Sequence, residues 1–187
     1  MTRWIHISDL QLGLGRDTIA PLLDHCPILS VVGNHDHTLP DLRTDLFCRY
    51  NGRDGMSSFY SDTFDGVQVI CVDETLRFDE ERGDPGRLLP LLLQHEVDLY
   101  LCGHMHIYER ARYQSLTQVQ AGASRMAYEG LLEMVPSRHL QAQDEHQSYV
   151  VFEIRENRIE ARAIALGGDP IDAWVQPLNR PMANDRT

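Results

Sequence analysis

The feature that most constrains this chain is an apolar segment that ends abruptly in two histidines. Residues 97–102 are typical of a buried strand, and Gly103, His104 and His106 follow it directly. The glycine lets the backbone pass close to whatever the histidines hold, and imidazole is a common protein ligand for zinc, iron and manganese. The pattern therefore predicts that two metal-binding side chains lie at one edge of a sheet.

Two other predicted strands end in metal-binding residue types. Residues 28–32 lead into Gly-Asn-His-Asp at 33–36, and residues 3–8 lead into Asp9 and, two positions later, Gln11. In open α/β sheets, ligands bind at the carboxyl ends of the strands. Three strand ends that carry Asp, Asn and His therefore predict a metal site at that edge.

Length and charge limit the possible functions. The chain has 187 residues, which fits a single domain over 1–176 followed by a disordered tail over 177–187. Its net charge of −11 disfavours long nucleic acid and anionic membranes as partners. A small phosphorylated substrate remains possible because bound metal cations would dominate the local field. The oligomeric state is left open.

The sequence also predicts the cellular location of the protein and the state of its cysteines. No apolar run approaches the roughly 20 residues that span a bilayer, and the N-terminus begins with a strand rather than a signal segment. We therefore expect a cytoplasmic protein. The cysteines are far apart in apolar segments and favour buried free thiols; they are Cys26, Cys48, Cys71 and Cys102.

The predicted elements alternate between strands and helices and then continue as strands. Further strands are expected over 57–60, 67–72, 117–121, 148–154 and 158–166, helices over 18–26, 40–50 and 87–96, a loop over 74–86, and an ambiguous, mobile segment over 130–146. This order favours an α/β (α+β) fold with a central sheet and a second, mostly antiparallel sheet.

The connection between the first two strands is just long enough for a single helical crossover. A parallel pair needs a crossover of roughly a dozen residues, usually helical, and residues 14–27 just supply it. Strands 3–8 and 28–32 are therefore predicted to be parallel neighbours or near-neighbours.

These motifs, in this order, resemble the calcineurin-like metallophosphoesterase superfamily. The matching stretches are His-Ile-Ser-Asp-x-x-Leu-Gly at 6–13, Gly-Asn-His-Asp at 33–36 and Gly-His-x-His-x-Tyr-Glu-Arg at 103–110. The last stretch is most similar to the purple-acid-phosphatase-related branch. The resemblance covers most of residues 3–175 and implies a truncated β-sandwich flanked by helices, with a two-metal phosphoesterase site.

The resemblance also implies which residues bind the metals. Asp9 and His106 would ligate the first ion, and Asn34 and His104 the second. Two such cations clamp a phosphate and lower the pKa of a bridging water. The expected cofactors are one or two divalent ions of manganese, iron or zinc.

The remaining motif residues would have other roles. By the resemblance, His35 would lie near the leaving-group oxygen as general acid or charge stabiliser, oriented by Asp36. Gln11 stands where the family has histidine, and its carbonyl oxygen would shift the preference towards manganese or magnesium. Tyr108 and Arg110 are either phosphate-side groups or residues that pack the loop.

Two motifs of the family are missing. The first, Gly-Asp-x-x-Asp, normally supplies the aspartate that bridges the metals, but only one helix is predicted between Gly13 and Ile28. The second is a histidine before a proline on a strand. Asp17, Asp73 or Asp84 are candidates for the bridging position.

The sequence is therefore compatible with three functions. The first is a metal-dependent phosphoesterase, a phosphatase or phosphodiesterase, with a reduced scaffold. The second is a non-catalytic scaffold or single-metal binding protein of the same fold, which the missing motifs favour. The third is a nuclease, which the net charge and the short chain argue against.

Overall fold

The part of the chain that the structure describes folds mainly into β-strands. The computed structural model describes residues 2–8, 28–31, 60–64, 67–71, 85–103, 106–122 and 139–179. The elements in these ranges are β1 (Thr2–Ser8), β2 (Ile28–Val31), β3 (Tyr60–Phe64), β4 (Val67–Cys71), α1 (Pro85–Gln94), β5 (Leu99–Cys102), β6 (Tyr108–Tyr113), β7 (Leu116–Gln120), β8 (Leu140–Asp144), β9 (Ser148–Arg155), β10 (Arg158–Ala165) and β11 (Pro170–Pro177).

The first sheet has five strands in the order β11-β10-β9-β1-β2. β1 and β2 are parallel neighbours, from Ile5 opposite Ile28 to Ser8 opposite Val31, so the predicted pairing is confirmed. The helix expected between them, over 18–26, lies outside the described residues. The predicted hairpin of β9 and β10 is also confirmed, and Glu156 in its turn has a positive φ of 55°.

The second sheet has six strands in the order β3-β4-β5-β7-β6-β8. β5 pairs in parallel with both β4 and β7, whereas β3, β6 and β8 pair antiparallel to their neighbours. The strand predicted over 57–60 is placed too early, because β3 runs to Phe64 opposite Val67. Two residues separate these partners, so the tight turn requires pairing up to Phe64.

Three strands were not predicted. β6 carries three charged residues, β8 is a polar edge strand within the segment expected to be mobile, and β11 is an edge strand bounded by prolines. Edge strands commonly carry charges and prolines because these block pairing with other chains. The apolar alternation is therefore weak in β8 and β11. β6 is an internal strand between β7 and β8, and its three charged residues weaken the alternation there.

The boundaries of two other predictions also change. α1 begins at Pro85, two residues before the expected start, because proline suits the first turn of a helix. It is followed by Glu96 in the left-handed region, with a φ of 54°. At the other end, the chain expected to be disordered from Pro177 continues in place, since Leu178 is buried. The single-domain assignment stays a prediction.

The described part of the chain is richer in strands than the predicted α/β class, with two sheets and one helix. Of the three expected helices, 87–96 corresponds to α1, while 18–26 and 40–50 lie outside the described residues. No helix in the described part of the chain has the length and apolar content to span a membrane. Cys71 and Cys102 are buried thiols outside any disulfide, as predicted, and Cys26 and Cys48 lie outside the described ranges.

The two sheets pack against each other through one hydrophobic core. Val67, Leu101 and Val119 from the second sheet share this core with Trp4 and Phe152 from the first. The rings of Trp4 and Phe152 stack with their centroids 5.2 Å apart. Trp174 meets Phe152 edge-on at 5.9 Å, which is a favourable aromatic geometry.

A carboxylate joins the two sheets beside this core. Asp172 on β11 accepts hydrogen bonds from the Tyr108 hydroxyl and from Nε of Arg110, both at 2.7 Å, and both donors lie on β6 of the other sheet. The Arg110 guanidinium also lies 4.9 Å from the ring centroid of Trp174. Charge-assisted bonds of this kind are among the strongest in proteins.

The end of β11 provides a second connection between the sheets. The backbone N–H of Asn179 donates to the Asp98 carboxylate at 2.6 Å, and its side-chain amide donates to the carbonyls of Glu96 and Val97. Gln176 donates to the Asp98 carbonyl at 3.1 Å. These contacts hold the segment that leads from α1 into β5.

We expect Asp172→Asn to destabilise the protein in a pH-dependent way. Burial acts to raise the pKa of Asp172, but hydrogen bonds from Arg110 and Tyr108 outweigh it and hold the pKa below its ordinary value. A lowered carboxyl pKa adds stability above the unfolded pKa, about 3.9, and that stability is lost as the pH falls through the folded pKa. The variant should lose about 1–3 kcal/mol of unfolding free energy at pH 7.

Urea unfolding of both proteins from pH 7 to pH 3 measures this difference. The gap between wild type and variant should narrow below about pH 4, because Asp172 of the unfolded wild type then becomes protonated while the folded carboxylate does so only at lower pH. Asp169→Asn is the control: this residue is exposed, and its replacement should change stability by less than about 0.5 kcal/mol. A gap of constant size across the pH range would contradict the assigned ion pair.

Candidate metal centre

The strand ends that carry the predicted ligands belong to two sheets. β1 and β2 lie in the first sheet, and β5 lies in the second. The prediction that all three end at one edge of one sheet is therefore wrong. Sequence patterns identify a strand but not the sheet to which it belongs. Here the parallel strands are divided between the two sheets of a sandwich. β2 and β4 are in contact, so the sheets meet near these strands.

His106 is the predicted ligand that the structure describes. It follows the end of β5 by four positions and precedes β6 by two. Its side chain is fully buried, as are its neighbours Ile107 and Tyr108. A buried imidazole just beyond the carboxyl end of a strand fits the role of a metal ligand, because such a position shields the bound ion from water.

Gly122 allows the His106 segment to lie where it does. A Cβ atom at position 122 would lie 2.5 Å from the carbonyl carbon of His106 and 2.9 Å from the nitrogen of Ile107. Only glycine fits against backbone at that distance. The carbonyl of Gly122 also accepts a hydrogen bond from Ser148 on β9 at 3.0 Å, so the contact involves both sheets.

The thiol of Cys102 contacts the adjacent strand β7. It lies 3.7 Å from the carbonyl oxygen of Val119 and 3.5 Å from Nε2 of Gln118, both on the adjacent strand β7. These contacts hold the thiol against β7, so we assign Cys102 to packing between β5 and β7.

Tyr108 and Arg110 favour packing over phosphate binding. Tyr108 is fully buried and Arg110 is paired, and both donate to Asp172. Burial raises the pKa of Tyr108, and the hydrogen bond to Asp172 raises it further, so the phenol stays protonated and remains a donor.

Glu109 is a carboxylate that the sequence reasoning did not single out. It is half-buried and lies in one cross-strand row with Gln120 and Cys102. Burial raises its pKa above the ordinary range. In the sequence, Glu109 is indicated only by its place in Tyr-Glu-Arg, between two residues that face the core side of the sheet.

The other predicted site residues lie outside the described ranges. These are the ligands Asp9, Gln11, Asn34 and His104 and the catalytic pair His35 and Asp36. Within the described ranges, no group of three or more His, Cys, Asp or Glu side chains is placed to hold a metal ion. The fit to a metal therefore rests on the burial and position of His106.

Comparisons with known proteins identify the fold. A predicted phosphoesterase from Streptococcus pneumoniae TIGR4 is 12% identical, with a TM-score of 0.61 over 94% of this chain and 97% of that one. GAP50, the anchor in the inner membrane complex of Plasmodium, is 14% identical, with a TM-score of 0.66 over 96% and 90%. Vps29 from Entamoeba histolytica, complexed with Zn²⁺, is 14% identical, with a TM-score of 0.56 over 95% and 99%.

These likenesses show a calcineurin-like metallophosphoesterase fold. No family model and no curated protein matches the sequence. The similarity to the purple-acid-phosphatase-related branch stays a prediction.

We expect Gly122→Ala to displace His106. The added methyl group would overlap the backbone of residues 106 and 107, and such overpacking typically costs about 1–3 kcal/mol. Carbethoxylation by diethyl pyrocarbonate, located by mass spectrometry, should be slow at the buried His106 of the wild type and faster in the variant.

Gly167→Ala is the matched control. A Cβ atom at this position would have no neighbour within 4 Å. The control should change neither the stability, by more than about 0.5 kcal/mol, nor the reactivity of His106. If Gly122→Ala behaves in the same way, the glycine does not position the histidine.

Proposed function

We propose that this protein is a metal-dependent phosphoesterase that hydrolyses small phosphomonoesters or phosphodiesters. The observation that carries the proposal is the fully buried His106 beyond the end of β5, within a metallophosphoesterase fold. The similar structures support it, since one is a predicted phosphoesterase and another is complexed with Zn²⁺.

The proposed metal ligands are Asp9, Gln11, Asn34, His104 and His106. One or two divalent ions of manganese, iron or zinc would supply Lewis-acid chemistry, activating water and stabilising the charge on the phosphate. Asp9 supplies an anionic oxygen, Gln11 and Asn34 supply neutral oxygens, and the two histidines supply nitrogen. This mixture suits ions of intermediate hardness.

His35 and Asp36 carry the proton chemistry of the proposed reaction. His35 donates a proton to the oxygen of the departing alcohol, or stabilises the charge that develops there. Asp36 orients the imidazole.

The overall charge favours small substrates. At −11, the protein repels polyanions at long range. A small ester crosses this field at lower cost because it carries few charges, and it would be attracted by the bound metal.

A second function, a scaffold that binds one metal ion or none, is supported by the missing motifs. Without the bridging aspartate, two cations at short range would repel each other without a shared anionic ligand. Two of the similar structures have other roles by name: GAP50 is an anchor in the inner membrane complex of Plasmodium, and the other is Vacuolar Protein Sorting 29 from Cryptosporidium parvum.

Metal content and turnover, measured together, test the proposal. Protein reconstituted with manganese should bind about two ions per chain and hydrolyse nitrophenyl phosphate esters. His106→Ala should lose metal and activity together. His35→Ala should keep the metal but lose about 10²–10⁴-fold in turnover, because it removes only the acid.

Three results would contradict parts of this account. Equal loss of metal and turnover in His35→Ala would make that residue a ligand. Metal binding without hydrolysis of any ester would favour the scaffold. A clear preference for duplex DNA over small esters would indicate a nuclease.

A further inference from the structure

The outer face of the five-stranded sheet carries a row of charged residues that ends in an exposed apolar side chain. Arg3 on β1 lies opposite Glu153 on β9, which lies opposite Glu160 on β10 and then Val175 on β11. The four residues therefore form one straight row across four strands. Val175 is 62% exposed and supplies an apolar surface at the end of this row.

Glu153 is the centre of an arginine cluster. Its side chain is only 6% exposed, and it pairs with Arg155 at 2.8 Å, with Arg162 at 3.4 Å and with Arg3. Hydrogen bonds from Arg155 and then Arg3 hold the pKa of Glu153 below its ordinary value, although burial opposes them. The carboxylate is therefore ionised at neutral pH and already saturated with donors.

A second carboxylate completes the charge pattern. Glu160 pairs with Arg155 at 3.2 Å and with Arg158 at 2.8 Å. Among the described residues, this face thus presents four arginines, 3, 155, 158 and 162, against two glutamates, 153 and 160, for a local charge of +2. The whole chain carries −11, so the outer face is an island of opposite sign.

The arginines have unused capacity to bind anions. Each guanidinium has five N–H donors. The three around Glu153 share its carboxylate, and only Arg155 among them also pairs with Glu160. Their side chains remain about half exposed: 51% for Arg3, 46% for Arg155 and 59% for Arg162. An incoming carboxylate could bind to them in the bidentate geometry that arginine favours.

The shape of the face limits what can bind. A groove of about 510 Å³ runs over it and is lined by Arg3, Glu153, Arg162, Trp174 and Val175, among others. From β1 to β11 there are three strand spacings of about 4.8 Å, or about 14 Å in total. An extended chain covers that length in about four residues.

We propose that this face binds an extended acidic segment of a partner protein. Its carboxylates lie on the guanidiniums of Arg3 and Arg162, and an apolar side chain about four residues away packs on Val175. The match in charge and the length of the groove both select this occupant.

Other anionic partners fit this face less well. A membrane or a nucleic acid extends far beyond the island and meets the negative charge of the rest of the chain. A short peptide contacts only the island, and screening beyond about 8 Å at physiological salt protects it from the remaining charge. A single small anion would leave Val175 uncovered.

A synthetic peptide tests the proposal on the full-length protein. The probe carries fluorescein, two glutamates and, four positions later, a leucine, and its binding is followed by fluorescence anisotropy. Arg162→Glu should weaken binding by about tenfold or more, and Val175→Ser should weaken it several-fold. Neither position belongs to the candidate metal centre, so hydrolysis of nitrophenyl esters should stay unchanged.

Arg112→Glu is the matched control. It makes the same change of charge on β6 of the other sheet, where Arg112 contacts Gln114 and Thr117, and should leave peptide binding unchanged. The proposal is overturned if the peptide shows no saturable binding at millimolar concentration or if Arg112→Glu weakens it equally. Displacement by an equal concentration of inorganic phosphate, or capture of phosphatidylserine vesicles that is lost in Arg162→Glu, would also overturn it.

Discussion

The carboxylate of Asp172 joins the two sheets, and the position of the candidate metal ligand depends on it. Its bonds to Tyr108 and Arg110 fix the start of β6, only two residues after His106. On its other side, the His106 segment lies against Gly122 at a distance that only a glycine permits. A buried imidazole held in this way loses little entropy on binding an ion, because its segment is already ordered.

Elements whose formation depends on local sequence patterns could be predicted from the sequence. The apolar strands β1, β2 and β5, the β9–β10 hairpin and the parallel pairing of β1 with β2 follow from alternation, turn residues and linker length. The contacts of Asp172 with Tyr108 and of Gly122 with His106 did not follow, since these residues are 64 and 16 positions apart. The edge strand β11 was missed for a related reason: its prolines and polar residues hide the alternation.

The two proposed surfaces use charge in different ways. At the candidate metal centre, neutral and acidic side chains would receive cations in an acidic protein. On the outer face of the five-stranded sheet, buried Glu153 gathers three arginines and leaves a net positive surface. The second surface persists at neutral pH because the pKa of Glu153 is lowered, and its central pairs weaken only as the pH falls through that pKa. The proposed hydrolase site and the proposed docking face can therefore function in the same chain.

A crystal structure of the manganese-loaded protein, with anomalous data collected at the manganese edge, shows directly whether His106 binds the ion. The account predicts an ion roughly 2.0–2.6 Å from a ring nitrogen of His106 and from at least one carboxylate oxygen. The residue that supplies this carboxylate would be the one that replaces the missing bridging aspartate. An intact fold with no anomalous peak at His106 under saturating manganese would contradict the account, and the metallophosphoesterase fold would then serve another purpose.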